Sequence, residues 1–236
     1  MHRAIGILGG MGPLATCDLF KKIVEITDAD CDQKHAHVLI DNNTDISDRT
    51  EAILHHGANP VPEMVKSAVR LQNMGANVLI MPCNTAHYYY PQILPFVDIP
   101  FLHMPNETAK YIKRMGIEKI GLLATDGTIQ SGIYNKAFET AGIDVCIPDE
   151  EGQKSVMSVI YDGVKAGNHD IDLDPFRGTM DRLFAQGAQV MVLACTELPV
   201  AFQKFSLNSP NIDPTMVLAA SAIRFIGGKV KANINY

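Results

Sequence analysis

The chain contains itself twice, and this duplication limits its possible folds more than any other feature. GANVLIMPCNTAH, from Gly75, lines up with GAQVMVLACTELP, from Gly187: Gly, Ala, Val and Cys coincide, and the other strand positions exchange like for like. AIGILGGMGPLAT, from Ala4, lines up with KIGLLATDGTIQS, from Lys119, through Ile, Gly, Leu and a later Gly. The first pair is offset by 112 residues and the second by 115, so two motifs recur in the same order at nearly the same spacing. Strand–Gly–helix patterns also recur by chance in parallel α/β chains, but the shared order and spacing favour duplication. Two halves of like fold are expected, each carrying one cysteine, Cys83 or Cys195, to the end of an apolar strand. Related by a pseudo-twofold, such halves would turn the two thiols toward each other across a cleft.

Short β-type runs alternate with helical patterns along the whole chain. Strands are expected at 4–8, 37–41, 77–81, 119–123, 144–147 and 189–194. Helices are expected from about Pro13 and over 62–74, 132–141, 155–164, 175–186 and 216–226, with 149–151 as a solvated helix start. Alternating β and α with strands apolar throughout points to parallel sheets covered on both faces. The fold class is therefore α/β: two similar pseudo-symmetric domains, each a parallel-type sheet flanked by helices, with the active site in the cleft between them. The expected division is 1–102 plus 213–236 for the first domain and 103–212 for the second. In sheets of this kind ligands bind beyond the carboxyl ends of the strands, which is where both cysteines fall.

Composition removes several function classes. A chain of 236 residues, 47% hydrophobic, has ample material for packed cores. Its net charge of −6 and lack of a basic block count against nucleic acid, whose backbone needs clustered Lys and Arg. The longest apolar stretches are strand-sized, so no transmembrane helix is expected. MHRAIGILGGMGP is too short and glycine-broken for a signal peptide, and a cytoplasmic protein is expected. The five cysteines are odd in number and scattered, which suits reduced thiols. Cys17, Cys31 and Cys146 lack flanking donors and read as packing or incidental residues. His35-x-His37 and His55-His56 have no acidic or thiol cluster of metal-site spacing, so no metal is expected. Gly10-x-Gly12-x-x-Ala15 imitates a dinucleotide fingerprint, but Pro13 interrupts it and Asp41 falls too late for the ribose. Lys165 lacks the phosphate cup that a pyridoxal Schiff base would need. No cofactor is expected.

Two opposed thiols suit one chemistry. A thiol titrates near about 8.5, lower beside helix N-termini and cations, and a helix start after each cysteine would favour the thiolate. Asn84 and Thr85 after Cys83, and Thr196 after Cys195, are good capping or oxyanion donors. One thiolate removes a proton from one face of a carbon while the other thiol returns a proton to the opposite face, inverting the centre. The carbanion between the two steps needs donors and cations aimed at its carboxylate, in a site that excludes water. His87, four residues past Cys83, reads as a capping or packing histidine in preference to a Cys–His nucleophile pair.

These residues resemble the cofactor-independent aspartate/glutamate racemase family. The resemblance covers essentially the whole chain and rests on GILGGMGPLAT, DRT at 48–50, MPCNTAH, LATDGT at 123–128, IYDGVKAG at 160–167, LACTELP and IDPT at 212–215. It implies that Cys83 and Cys195 are the two bases. It implies that Arg49, in a loop, and Lys165 anchor carboxylates, consistent with the bidentate reach of a guanidinium. Asn84, Thr85 and Thr196 would hold the carboxylate beside the reacting carbon. Met11, Thr125 and Thr128 would line the pocket, and Glu197 would orient the substrate amine or simply favour a helix start. Two cations suit a dicarboxylate, aspartate or glutamate, as the small-molecule substrate. Family members often form dimers, so a homodimer is implied. Three other readings remain open at this point: a broad-specificity racemase, a one-thiol isomerase or decarboxylase of a small acid, and an idle amino-acid-binding sensor.

Overall fold

A computed structural model describes residues 3–232 and 234. In chain order the elements are β1 (Ala4–Gly9), α1 (Pro13–Ile26), β2 (His37–Asn42), α2 (Arg49–Leu54), α3 (Val61–Asn73), β3 (Val78–Ile80), α4 (Tyr90–Ile93), α5 (Met104–Arg114), β4 (Lys119–Ala124), α6 (Asp126–Ser131), α7 (Ile133–Ala141), β5 (Asp144–Cys146), α8 (Glu150–Ser158), α9 (Asp174–Ala185), β6 (Val190–Ala194), α10 (Glu197–Lys204), β7 (Asn211–Ile212) and α11 (Pro214–Phe225). The chain divides into two compact units. One runs through Glu107 and resumes at Thr215, and the other is Thr108–Pro214. Among the described residues no helix is long and apolar enough to cross a membrane.

Each unit is built on a parallel sheet. The first has the order β2-β1-β3, and a parallel bridge from Leu79 to Phe101 extends it beyond β3. The second has the order β5-β4-β6-β7, all parallel. The same pattern of pairing recurs residue by residue. Gly6 of β1 pairs with Leu79, and Gly121 of β4 pairs with Met191. Both positions need glycine for the same reason: a Cβ on Gly6 would lie 2.8 Å from Leu79 Cδ2, and one on Gly121 would lie 2.5 Å from Met191 Sδ.

The turns into β3 and β6 also repeat. Gly75 and Gly187 end α3 and α9 at φ of +99° and +95°, a left-handed conformation that glycine adopts without Cβ strain. The Ala76 N–H donates to the Leu71 carbonyl and the Ala188 N–H to the Leu183 carbonyl, both at 3.1 Å, closing two Schellman caps. Asn77 Oδ1 then accepts from the Ala4 N–H at 2.8 Å, while Gln189 Oε1 accepts from the Lys119 N–H at 3.1 Å. These amides set the register of each cysteine-bearing strand against its neighbour.

Pleat alternation sorts the side chains. In the first unit Ile5, Ile7, Val78 and Ile80 pack with Leu218 and Ile223 of α11. Leu8, Leu79, Met81 and Cys83 pack on the other face with Met64 and Leu71 of α3. In the second unit Met191, Leu193 and Cys195 join Leu123, Val156, Phe176 and Leu183. Leu79, Met81 and Cys83 thus share a face, as do Met191, Leu193 and Cys195. Cys195 carries its strand's alternation directly past the end of β6, and Cys83 lies three residues past the end of β3 on the same face.

The elements α2, α4, α6 and β7 lie outside the expected set, and two further helices differ from expectation. A helix does start at 149–151 as expected, with Asp149 Oδ1 accepting the Gly152 N–H at 2.7 Å, so the helix expected at 155–164 is the continuation of one that begins at Glu150. It then widens into a π-helical turn, Val159–Lys165. That turn packs closely at Gly163, where a Cβ would stand 2.6 Å from Ile171 Cδ1. The helix Met104–Arg114 lies outside the expected set; it is amphipathic, but its buried face carries Met104, Thr108, Ala109 and Ile112, a narrow stripe with little apolar bulk.

Candidate active site

In the first unit Cys83 follows β3 by three residues and is 8% exposed. Asn84 and Thr85 are buried beside it. The segment after Cys83 is a 3-10 turn, Thr85–Tyr89, and not the α-helix expected there. Met11, in the loop after β1, is buried in the same apolar cluster as Cys83.

Arg49 stands at the first position of α2, which corrects the expected loop placement. Asp48 supplies the cap, its Oδ1 accepting the Glu51 N–H at 2.9 Å. The guanidinium donates through Nη1 to the Ile46 and Ser47 carbonyls at 3.3 and 3.0 Å, and through Nη2 to the Met11 carbonyl at 3.3 Å. It therefore ties the β1 loop to the start of α2. Its Nε is buried and has no hydrogen-bond partner among the described residues, so donor capacity remains at this cation.

His87 is fully enclosed, with Nδ1 2.9 Å from the Cys83 carbonyl and Nε2 accepting the Met104 N–H at 3.1 Å. A ring nitrogen that accepts from a backbone N–H leaves the other to donate, so His87 is neutral with its proton on Nδ1. Burial, helped by the neighbouring His103, lowers its pKa to about 3. It is a packing and bridging histidine, in line with the expectation.

In the second unit Cys195 directly follows β6 and is 7% exposed. Its Sγ–H donates to Glu197 Oε2 at 3.0 Å, and the Thr196 hydroxyl donates to the same oxygen at 3.0 Å. Glu197 is also the first residue of α10. Burial pushes the Cys195 thiol well above its ordinary value, and the Glu197 charge and hydrogen bond push it further. The Glu197 backbone N–H and Lys165 pull the other way and are outweighed. The expected thiolate bias from a helix start is thus present at Cys195 but loses to burial and a carboxylate.

Lys165 ends the π-helical turn with its Nζ 4.1 Å from the Tyr161 ring centroid. Burial opposes its charge, but the charges of Glu197, Tyr161 and Cys195 together raise its pKa. Thr125 caps α6, and its hydroxyl donates to Thr128 Oγ1 at 3.1 Å. Ala124 pairs with Ala194, so Thr125 leaves β4 beside Cys195 leaving β6. The fold therefore gathers Met11, Arg49, Asn84, Thr85 and Cys83 in one unit, and Thr125, Thr128, Lys165, Cys195, Thr196 and Glu197 in the other.

Two features of the site escaped sequence reasoning. Tyr134 of α7 is fully buried, its phenol raised well above its usual range by burial, with Asp213 and Cys195 close enough to add to the shift. Nothing in its local sequence marks it. The Cys195–Glu197 contact was more accessible: a residue two places beyond a strand-end cysteine lies in the first turn after it.

Two parallel α/β units that share the strand order β2-β1-β3 and β5-β4-β6, each with a buried cysteine just beyond the third strand, define an internally duplicated α/β protein with one such thiol in each half. The chain belongs to the Asp/Glu/Hydantoin racemase family, whose sequence profile matches residues 8–222, and it is accordingly an isomerase. It is 30% identical to the broad specificity amino-acid racemase RacX of Bacillus subtilis, over 93% of this chain and 96% of that one. It resembles the structure of Picrophilus torridus aspartate racemase at a TM-score of 0.81 and 33% identity, covering 97% of this chain and 96% of that chain. The Francisella tularensis glutamate racemase, solved with D-glutamate, shares the fold at a TM-score of 0.67 and 16% identity, with 96% and 81% covered.

Proposed function

We propose that this chain is a cofactor-independent amino-acid racemase that interconverts L- and D-aspartate or glutamate, with Cys83 and Cys195 as the two proton-transfer groups. The observation that carries the reading is the equivalence of Leu79, Met81, Cys83 with Met191, Leu193, Cys195. Two units deliver a thiol to the same place on the same strand, and a binding protein would need no such pair.

In the reaction one sulfur takes the Cα proton and leaves the bond's electrons on carbon. The carbanion then takes a proton from the other thiol on its opposite face. Asn84 and Thr85 hold the adjacent carboxylate, where donors stabilise the developing charge more than the ground state; Thr196, whose one O–H is given to Glu197 in the unliganded protein, joins them only through its backbone or on leaving Glu197. Arg49 and Lys165 are the two cations for a dicarboxylate, and the three carbonyl contacts of Arg49 hold its guanidinium in a fixed orientation for that task. In this reading Met11 of one unit and Thr125 and Thr128 of the other are further substrate contacts. The reading carries with it a cytoplasmic homodimer, for which light scattering of the purified chain is the check.

A second reading, racemisation of many amino acids, is favoured by the 30% identity to a relative named for broad specificity. Incubating each L-amino acid with the protein in deuterium oxide tests both. The first predicts deuterium at Cα of aspartate or glutamate alone, with inversion. The second predicts it across neutral amino acids. Tight calorimetric binding of aspartate with no exchange at Cα would overturn both.

A further inference from the structure

The two thiols are not built alike. In the duplicated alignment Cys83-Asn84-Thr85 stands opposite Cys195-Thr196-Glu197, so a carboxylate replaces a hydroxyl at the second position past the cysteine in one unit only. In the structure that carboxylate is used. Glu197 Oε2 receives both the Cys195 Sγ–H and the Thr196 hydroxyl at 3.0 Å. Thr196 fixes the carboxylate's orientation, and the same oxygen then faces the sulfur.

We propose that Glu197 is a positioning residue that holds the proton on Cys195, so that the unliganded protein enters its cycle with Cys195 as the proton donor. The proposal rests on the racemase reading and adds an asymmetry to it. In the first half-reaction the Cα–H bond breaks toward Cys83, with the electron pair left on Cα. The Cys195 S–H bond then breaks, its proton goes to the opposite face of Cα, and its electrons stay on sulfur. The thiolate so formed lies against Glu197, and that repulsion favours its reprotonation, either from Cα of the opposite enantiomer in the reverse turnover or from water once product leaves, while Cys83 gives up its proton to solvent.

Among the described residues, the groups acting on Cys195 come from α10, the π-helical turn and α7, with Asp213 beyond Tyr134. Glu197 on α10 opposes ionisation, Lys165 on the π-helical turn favours it, and Tyr134 on α7 is a neutral phenol at ordinary pH. A like charge within hydrogen-bond distance disfavours the thiolate, whereas a neutral amide of the same shape does not.

The test reads the thiol directly and needs no substrate. Alkylation of Cys195 by iodoacetamide is followed by peptide mass spectrometry from low to high pH in the Cys83→Ser protein, with and without Glu197→Gln. The expected result is a profile midpoint lower by about one pH unit in the Gln variant, which is about tenfold more thiolate below both midpoints. Glu197→Ala should move it the same way, and it stands in if the Gln variant does not fold. A midpoint unchanged or raised in the folded variants overturns the proposal. Because the midpoint does not depend on turnover, a shift seen in a protein that fails to racemise would leave the Glu197 assignment standing and remove only the function.

Discussion

His87 donates its Nδ1–H to the Cys83 carbonyl at 2.9 Å, and its Nε2 accepts from the Met104 N–H at 3.1 Å. The ring therefore pins the backbone of one proposed catalytic cysteine to the first turn of α5. The bond requires a neutral imidazole, which the lowered pKa of about 3 provides.

A pH dependence follows from that value. The unfolded histidine titrates near 6.5 and the folded one near 3, so between these pH values the unfolded state binds the extra proton. The stability from neutral His87 is present in full above about pH 6.5 and is lost as pH falls toward 3, at up to about 1.4 kcal/mol per pH unit. His87→Phe should cost roughly 2–3 kcal/mol at pH 7, because it strands a buried carbonyl and a buried N–H. Between pH 6.5 and 4 the variant should also lose stability less steeply than the wild type. Urea unfolding at several pH values checks both; parallel slopes would contradict a neutral buried His87.

Gly6 and Gly121 occupy equivalent places but face different neighbours. A Cβ on Gly6 meets Leu79 Cδ2 at 2.8 Å and the rigid Ala76 Cβ at 2.9 Å, whereas one on Gly121 meets only the flexible end of Met191 and Leu183 Cδ1. Overpacking costs typically about 1–3 kcal/mol. Gly6→Ala should fall at the upper end and Gly121→Ala at the lower, as measured by thermal or urea unfolding.

The duplication, the parallel strands and the placement of both cysteines were legible because strand pairing, the Schellman glycines and the register amides leave marks on local sequence. Gly75 with Asn77, and Gly187 with Gln189, are such marks. The π-helical turn at Val159–Lys165 was not legible, since it depends on how Gly163 packs against Ile171, eight residues away. Ionisation at Cys195 was misjudged for a related reason. A helix start supplies a local dipole, but burial and the Glu197 side chain dominate at this sulfur. Tyr134 reaches Cys195 only through tertiary packing.

Arg49→Lys should separate binding from folding. Lysine cannot reproduce the three carbonyl contacts and the free Nε at once. Stability should fall by about 1 kcal/mol, while KM for a dicarboxylate rises roughly tenfold or more. Steady-state kinetics with aspartate and glutamate provide the check, and an unchanged KM would remove Arg49 from the substrate.

Lys165→Met should act on two readouts. Lys165 lowers the Cys195 thiol, so its removal moves the Cys195 alkylation midpoint upward, opposite in sign to Glu197→Gln. KM for the dicarboxylate should rise as well. A midpoint that stays in place would mean that Lys165 does not act on Cys195.

The central claim is that each cysteine serves one face of the same carbon. The most direct measurement is solvent-deuterium incorporation at Cα, together with inversion, for both enantiomers of aspartate and glutamate with wild type, Cys83→Ser and Cys195→Ser. A serine hydroxyl is a far weaker acid than a thiol and is not ionised at neutral pH, so it neither delivers nor takes the Cα proton efficiently. Each single substitution should therefore slow inversion by roughly a hundredfold or more, while exchange without inversion survives only for the enantiomer facing the remaining thiol. Inversion at the wild-type rate by either variant would contradict the two-thiol account.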